Sequence, residues 1–229
     1  APSIKLAVGP NLKPINKTFT WGKAHEKVEV TVIAGVHPEG SPEDAGWYVY
    51  CNGREVLHAN TSRATGWGDP EAGLPKFHND LARFRGYVFF ASGEPAVLPW
   101  NTAKTGIQSD SEVYQAALAE MTEAARDVFG YLRNLRKAKQ TTGDAAVVKA
   151  LDKARLTPLL KVPQSDEFVS PAPGEVLPTL TSIQVKLPKA TADALRVHSG
   201  AKSNAELGNH LINYYITREK VNVPGVRAD

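Results

Sequence analysis

One stretch of the chain decides its fold: FRGYVFFA at residues 84–91, PWNTAKTG at residues 99–106, and a helical pattern that opens at Ser111. The first segment is apolar and rich in strong β-formers, so it predicts a buried strand. The second is a loop that presents a single lysine, Lys104, between the strand and the helix. Functional side chains concentrate on loops that rigid elements hold, and a lone ammonium suits a phosphate better than a core. Lys104 is therefore a candidate functional residue.

The helix predicted after Ser111 is about 28 residues long, because apolar residues recur there every three or four positions. These positions are Val113, Ala117, Met121, Ala124, Val128, Leu132 and Leu135. Basic residues follow near its end, where they complement the negative end of the helix dipole, and a solvated helix end explains them best. We predict a second helix over residues 144–160. Its candidate packing residues are Val147, Val148, Leu151 and Leu159.

Most of the β structure is predicted before residue 100. Residues 27–34 alternate between polar and apolar side chains, as a half-buried strand does. A second strand runs from Gly46 to Cys51, and Asn52-Gly53 turns it into a partner strand over residues 54–57. Asn-Gly between strand patterns is the strongest short hairpin signal. The predicted fold class is α+β, a β-sheet with long packed helices.

Composition and charge are those of a globular protein. The chain has 229 residues, 42% hydrophobic and 22% charged, with a net charge of +3. The segment 179–229 holds seven basic and four acidic residues, so the whole excess lies there. A local basic excess favours a polyanionic partner for that segment.

Several features bear on compartment and chemistry. No stretch reaches the roughly 18 consecutive apolar residues of a membrane span, and the start has no signal-peptide core, so we expect a cytoplasmic protein. The missing initiator Met suggests a processed product or an excised fragment. The single Cys51 lies in a strand pattern and is expected to be a buried small hydrophobe. The six histidines are scattered, and we predict no metal site.

The C-terminal part follows a different pattern. Residues 161–178 contain four prolines and predict a linker between a domain at 1–160 and a module at 179–229. In the module, residues 182–187 alternate as a strand, Pro188 suits the first turn of a helix, and Gly200 ends that helix. Ser203 to Glu206 form a capping box that opens a second helix. Its apolar face is predicted to comprise Leu207, Leu211, Ile212, Tyr215 and Ile216.

The order of four motifs carries a resemblance: YCNGREV at 50–56, FRGYV at 84–88, LPWNTAK at 98–104, and the helix near Val113-Tyr114. Over roughly residues 25–140 the chain resembles the transducer domain, of ribosomal-protein-S5-like fold, of GHKL-type ATPases. This superfamily includes gyrase B, the MutL proteins, heat-shock ATPases and the microrchidia proteins. The sequence looks closest to the microrchidia and bacterial heat-shock-like branch.

The resemblance implies a role for the loop that carries Lys104. In that family a transducer lysine contacts the γ-phosphate of ATP in a neighbouring nucleotide-binding domain, and Lys104 matches its position, with Thr102 beside it in the cofactor-binding loop. Without the resemblance, a solvated surface lysine is the favoured interpretation. The scatter of the four tryptophans favours packing over base stacking, with Trp100 available to set the conformation of the loop.

This chain departs from a complete family member because its sequence lacks the nucleotide-binding half. The sequence contains neither the helix whose acidic and asparagine residues serve as base and magnesium ligand in that family nor its glycine-rich ATP lid. The chain is therefore not expected to be an enzyme in isolation. ATP and Mg²⁺ are expected only in the full-length protein, in a nucleotide-binding domain of the same polypeptide.

The C-terminal module resembles a ribbon-helix-helix module at Leu187-Pro188 and at SNAEL, residues 203–207. Such modules dimerise through their strands and place the ribbon in the DNA major groove. Ser182, Gln184 and Lys186 would face outward, with Gln184 able to read adenine and Lys186 guanine. Backbone N–H groups near Ser203 could hold a phosphate. The alternatives are a docking element whose strand pairs with the main sheet, and a non-enzymatic DNA-binding or assembly protein with the first domain as scaffold.

Overall fold

The computed structural model describes residues 4–23, 26–141, 146–171 and 187–219. The chain divides into two compact units, Ala1–Thr179 and Leu180–Asp229. The first unit contains a β-sheet with a long packed helix, and the predicted α+β class is confirmed.

The described residues form seven strands and four α-helices, with short 3-10 turns between some of them. The strands are β1 Lys5–Val8, β2 Ile15–Trp21, β3 Val28–Val36, β4 Gly46–Cys51, β5 Arg54–Asn60, β6 Phe84–Ala91 and β7 Arg155–Pro158. The helices are α1 Glu112–Thr141, α2 Ala146–Asp152, α3 Lys189–Ser199 and α4 Asn204–Glu219.

The main sheet has five strands in the order β2-β3-β6-β4-β5, with β6 at its centre. Strands β4 and β6 run parallel, and every other neighbouring pair is antiparallel. Helix α1 packs across one face of this sheet, against β3, β6 and β2. Strands β1 and β7 form a second, two-stranded sheet. Leu6 of β1 and Leu159, just after β7, pack with Ile33 and Tyr87 on the other face of the main sheet.

The apolar stripe predicted for α1 is confirmed, since all seven of its residues are buried in the main core. The aromatic centre of that core is a cluster of Trp47, Trp67, Phe84 and Phe129, with ring centroids 4.7–5.6 Å apart. Gly86 lies directly beneath Trp47. A Cβ at Gly86 would lie 2.3 Å from Cε3 of that indole, so the packing requires a glycine.

The predicted hairpin is confirmed. Asn52 and Gly53 have φ values of 47° and 80°, the left-handed pair that a two-residue type I′ turn needs. Strand β4 also has the bounds predicted for it.

The second predicted helix is wrong in its extent, because α2 ends at Asp152 and residues 155–158 form β7. A residue before proline disfavours the helical region, which places Thr157 in an extended conformation. Pairing with β1 then supplies the backbone hydrogen bonds that a continued helix would have made. Leu159, predicted to pack from a helix, packs in the smaller cluster with Leu6.

Part of the segment predicted as a linker is hydrogen-bonded to the first unit. Lys13 pairs with Val169, and Asn16 pairs with Ser165, through backbone hydrogen bonds of 2.9–3.1 Å. The Asn16 side chain also donates to the Val162 carbonyl oxygen at 2.9 Å.

In the second unit, Gly200 ends α3 as predicted, and its φ of 70° makes it a left-handed C-cap. Pro188, predicted in the first turn of this helix, is instead the N-cap residue, and the helix begins at Lys189. Ser203 caps α4, because its Oγ accepts from the Glu206 N–H at 3.1 Å. The Glu206 carboxylate reaches back to the N–H of Lys202, one residue earlier than in a standard capping box. The predicted strand at residues 182–187 lies outside the described residues except for Leu187.

The apolar face predicted for α4 is mostly exposed within this unit. Leu207 is buried, whereas Leu211, Ile212 and Tyr215 are exposed. The side chain of Ile216 lies outside the described set.

Candidate functional site: the lysine loop

The lysine loop, residues 99–107, lies between the central strand β6 and the start of α1. It closes on itself like a small hairpin: the Asn101 N–H donates to the Gly106 carbonyl, and the Gln108 N–H to the Pro99 carbonyl, both at 2.9 Å. An antiparallel bridge also joins Trp100 to Ile107. These bonds fix the backbone of the loop although most of its side chains are exposed.

Asn101 shapes the turn that carries the lysine. Its backbone carbonyl accepts from the Lys104 N–H at 2.8 Å, and its side-chain Oδ1 accepts from the Thr105 N–H at 2.9 Å. Between these two bonds Lys104 adopts φ 57°, in the left-handed region. A residue other than glycine or asparagine costs about 1 kcal/mol there. Strained residues of this kind occur at functional sites, although Asn52 and Ala59 also have a positive φ here.

The ammonium of Lys104 lies over the ring of Trp100, 4.5 Å from the ring centroid, which is a cation–π contact. Trp100 is anchored, since its Nε1 donates to the Pro95 carbonyl at 3.1 Å and its ring packs against the main core. No carboxylate pairs with Lys104 among the residues that the structure describes. The loop therefore presents a positive charge that the described part of the protein does not neutralise.

Thr102, the second predicted binding residue of the loop, is exposed. Its hydroxyl has no hydrogen-bond partner among the described residues, so it is open to a ligand. Lys104 supplies three charge-bearing donors and Thr102 one hydroxyl donor. This set suits one oxyanion group such as a terminal phosphate.

The residues predicted to read DNA can be placed only in part. Ser182, Gln184 and Lys186 lie outside the described residues. Ser203 is the N-cap of α4, with its hydroxyl engaged by the Glu206 N–H. Of the first N–H groups of α4, that of Glu206 is therefore already bonded to the cap, and that of Leu207 donates to the Ser203 carbonyl at 2.9 Å.

Other chemically active groups have structural positions. Cys51 is fully buried, and burial raises the pKa of its thiol to about 12. In the described ranges, no three His, Cys, Asp or Glu side chains are grouped so as to hold a metal ion. Nor does any described helix have the length and apolar content to cross a membrane.

Sequence reasoning missed two clefts in the first unit. One, of about 740 Å³, lies on the sheet face opposite α1 and is lined by Tyr48, Tyr50, Arg85 and Tyr87. The alternation of β4 and β6 could have shown that these residues share a face. The Arg85 guanidinium donates there to the backbone carbonyls of Ala82 and Phe84 at 3.0 and 2.8 Å.

The second cleft, of about 550 Å³, lies between α1, β2 and residues 166–170 and is acidic. Lys17 and Glu120 form an ion pair of 2.6 Å within it. Burial, followed by the neighbouring Glu123 and Glu167, raises the pKa of Asp127. The residues that line this cleft are far apart in the sequence, so no local sequence pattern could have revealed the cleft.

No protein-family model matches this sequence, and no curated protein matches it either. Function therefore has to be argued from the lysine loop and from the order of the motifs around it.

Proposed function

We propose that this chain is the transducer portion of a cytoplasmic GHKL-type ATPase, in which Lys104 senses the γ-phosphate of ATP. The nucleotide and its Mg²⁺ would lie in a nucleotide-binding domain of the same polypeptide, and the chain alone would not hydrolyse ATP. The observation that carries the proposal is Lys104 itself, an unneutralised ammonium held in a left-handed conformation on a closed loop.

The electrostatic part of the proposal is simple. An ammonium close to the γ-phosphate stabilises charge that develops during phosphoryl transfer, and it loses that partner once the phosphate has left. A single lysine can therefore distinguish ATP from ADP. Thr102 would add one neutral hydrogen bond to the same phosphate.

The loop is also well placed to transmit that difference. Residues 92–98, which include a 3-10 turn at Pro95–Val97, connect the loop to β6, the central strand, and residues 108–111 connect it to α1, the longest helix of the described chain. Because its backbone is internally bonded, a pull on Lys104 would move the loop as a block instead of stretching it. Val113 and Tyr114, in the first turn of α1, are buried in the core, so the motion would pass to the sheet and helix together.

The test is ATP turnover by the full-length polypeptide that carries this chain. Lys104→Ala should lower kcat by at least about tenfold, since loss of one transition-state donor costs on the order of 10²–10³ in rate. Lys104→Arg should retain part of the rate. Lys76→Ala, at another exposed loop lysine, is the matched control and should leave turnover unchanged. Wild-type turnover in Lys104→Ala would refute the proposal.

A second candidate function concerns the C-terminal unit, which we propose binds DNA as a homodimer of ribbon-helix-helix type. Helices α3 and α4 follow the predicted order, and the basic excess of the chain lies in this segment. Only Ala201 and Leu207 are buried among the described apolar residues of this unit, while Leu211 and Ile212 are exposed. Two buried residues do not make an independent core, which favours dimerisation.

DNA binding measured across a salt series tests this second proposal. Gln184→Ala should relax base preference at one position, and Lys186→Ala should weaken binding and lower the salt dependence. Lys153→Ala, in the first unit, is the control. If the wild-type chain showed no salt-dependent binding to DNA, the proposal would be overturned.

A further inference from the structure

We propose that Trp100 is a positioning residue for Lys104: its indole holds the ammonium in place and leaves the charge open to an incoming phosphate. The inference rests on the proposed function, because it assigns Trp100 a part in phosphate sensing. It goes beyond that function because it names the residue that orients the flexible Lys104 side chain before the phosphate binds.

The first supporting observation is that Trp100 is a fixed platform. Its backbone N–H donates to the Leu98 carbonyl at 2.9 Å, its indole N–H to the Pro95 carbonyl at 3.1 Å, and its backbone bridges Ile107. The ring also packs against the main core. An aromatic ring held at several points offers its face in one orientation.

The second observation is the backbone that directs the lysine. The two hydrogen bonds to Asn101 hold Lys104 at φ 57°, and the side chain then extends back over Trp100 to a distance of 4.5 Å. The contact therefore depends on a strained turn as well as on mutual attraction. Neither feature would be needed to pack a tryptophan.

The physical consequence is preorganisation. A free lysine loses much rotamer freedom when it binds a phosphate, because its four-carbon stem must adopt one geometry. A cation–π contact confines that stem beforehand while blocking only one side of the ammonium. At an exposed position, a contact of this strength changes populations by about two- to fivefold. The competing interpretation is that Trp100 only fills space beneath the loop.

The first arm of the test uses the present chain and needs no nucleotide. The methylene protons next to the Lys104 ammonium should show an upfield ring-current shift in the NMR spectrum. Trp100→Phe should reduce the shift, and Trp100→Leu should abolish it. Trp21→Leu, at the end of β2, is the control and should preserve it. Absence of the shift in the wild-type chain would overturn the inference.

The second arm measures ATP turnover in the full-length polypeptide. Trp100→Leu should lower kcat/KM by about two- to fivefold, with Trp100→Phe between it and wild type. Urea unfolding of the same variants separates the two interpretations, because a space-filling role would make the loss of activity follow the loss of stability. If Lys104→Ala impairs turnover and Trp100→Leu does not, the role of Trp100 is refuted and the proposed function stands. If Lys104→Ala has no effect, the proposed function fails, and so does the phosphate-sensing role of Trp100.

Discussion

Gly86→Ala should destabilise the first unit by about 2 kcal/mol. The added Cβ would lie 2.3 Å from Cε3 and 2.6 Å from Cδ2 and Cζ3 of Trp47, whereas carbon atoms pack at about 3.5–4.0 Å. Trp47 is fully buried against Phe84, so the ring has to shift by about 1 Å within a packed core. Overpacking of a core destabilises a protein by about 3 kcal/mol at its usual upper end. Replacing a strand glycine by alanine stabilises the folded state by about 0.5–1 kcal/mol, so the net loss of stability is about 2 kcal/mol.

Urea unfolding followed by tryptophan fluorescence measures this effect, because all four tryptophans lie in the first unit. Gly130→Ala is the matched control: a Cβ there has nothing within 4 Å, and the site is helical, so stability should rise by about 0.5–1 kcal/mol. In a Trp47→Leu background, which removes Cε3 and Cζ3, the cost of Gly86→Ala should fall below about 1 kcal/mol. Equal unfolding midpoints for Gly86→Ala and Gly130→Ala would refute the packing explanation.

Two further predictions concern groups whose pKa is raised, the buried Cys51 and the surface residue Asp127. Because burial raises the pKa of Cys51 to about 12, a thiol reagent at pH 8 should label the folded chain about a thousandfold more slowly than the urea-unfolded chain; comparable rates would contradict this. The raised pKa of Asp127 means that the folded state holds this proton more tightly than the unfolded state, so the ionised carboxylate destabilises the fold at neutral pH and the penalty disappears as the pH falls through the folded pKa. Asp127→Asn should therefore raise the urea midpoint at pH 7 and have little effect at pH 3, and an equal rise at both pH values would show that the charge is not responsible.

Local patterns predicted the parts of the fold that local physics determines. The Asn52-Gly53 turn needs only two left-handed residues, and the stripe of α1 repeats over several turns. Strands β1 and β7 have four residues each, and most of the sequence of the first unit lies between them. A pattern read over a short stretch of sequence cannot detect such a pairing. The parallel pairing of β4 with β6 is equally a product of the whole sheet.

The candidate site was predictable in position and less so in geometry. The sequence placed Lys104 on a loop between a strand and a helix, and the structure agrees. An asparagine at the start of a loop is a known turn former, so the hydrogen bond from the Thr105 N–H to the Asn101 side chain could have been predicted from the sequence. No sequence pattern indicated the left-handed backbone of Lys104 or its distance from Trp100, because both depend on how the loop closes.

The pairing of β1 with β7 has a consequence for the order of folding. Leu6 faces Thr157 in the ladder, so a chain synthesised from its N-terminus must hold its first strand unpaired until almost all of the first unit has been made. Contacts between such distant residues form late, since closing a long loop costs entropy before the contact repays it. We expect the hairpin, the central strand and α1 to assemble around the lysine loop first. A fragment ending before Leu159 would leave Leu6, Ile33 and Tyr87 without the chain that covers them.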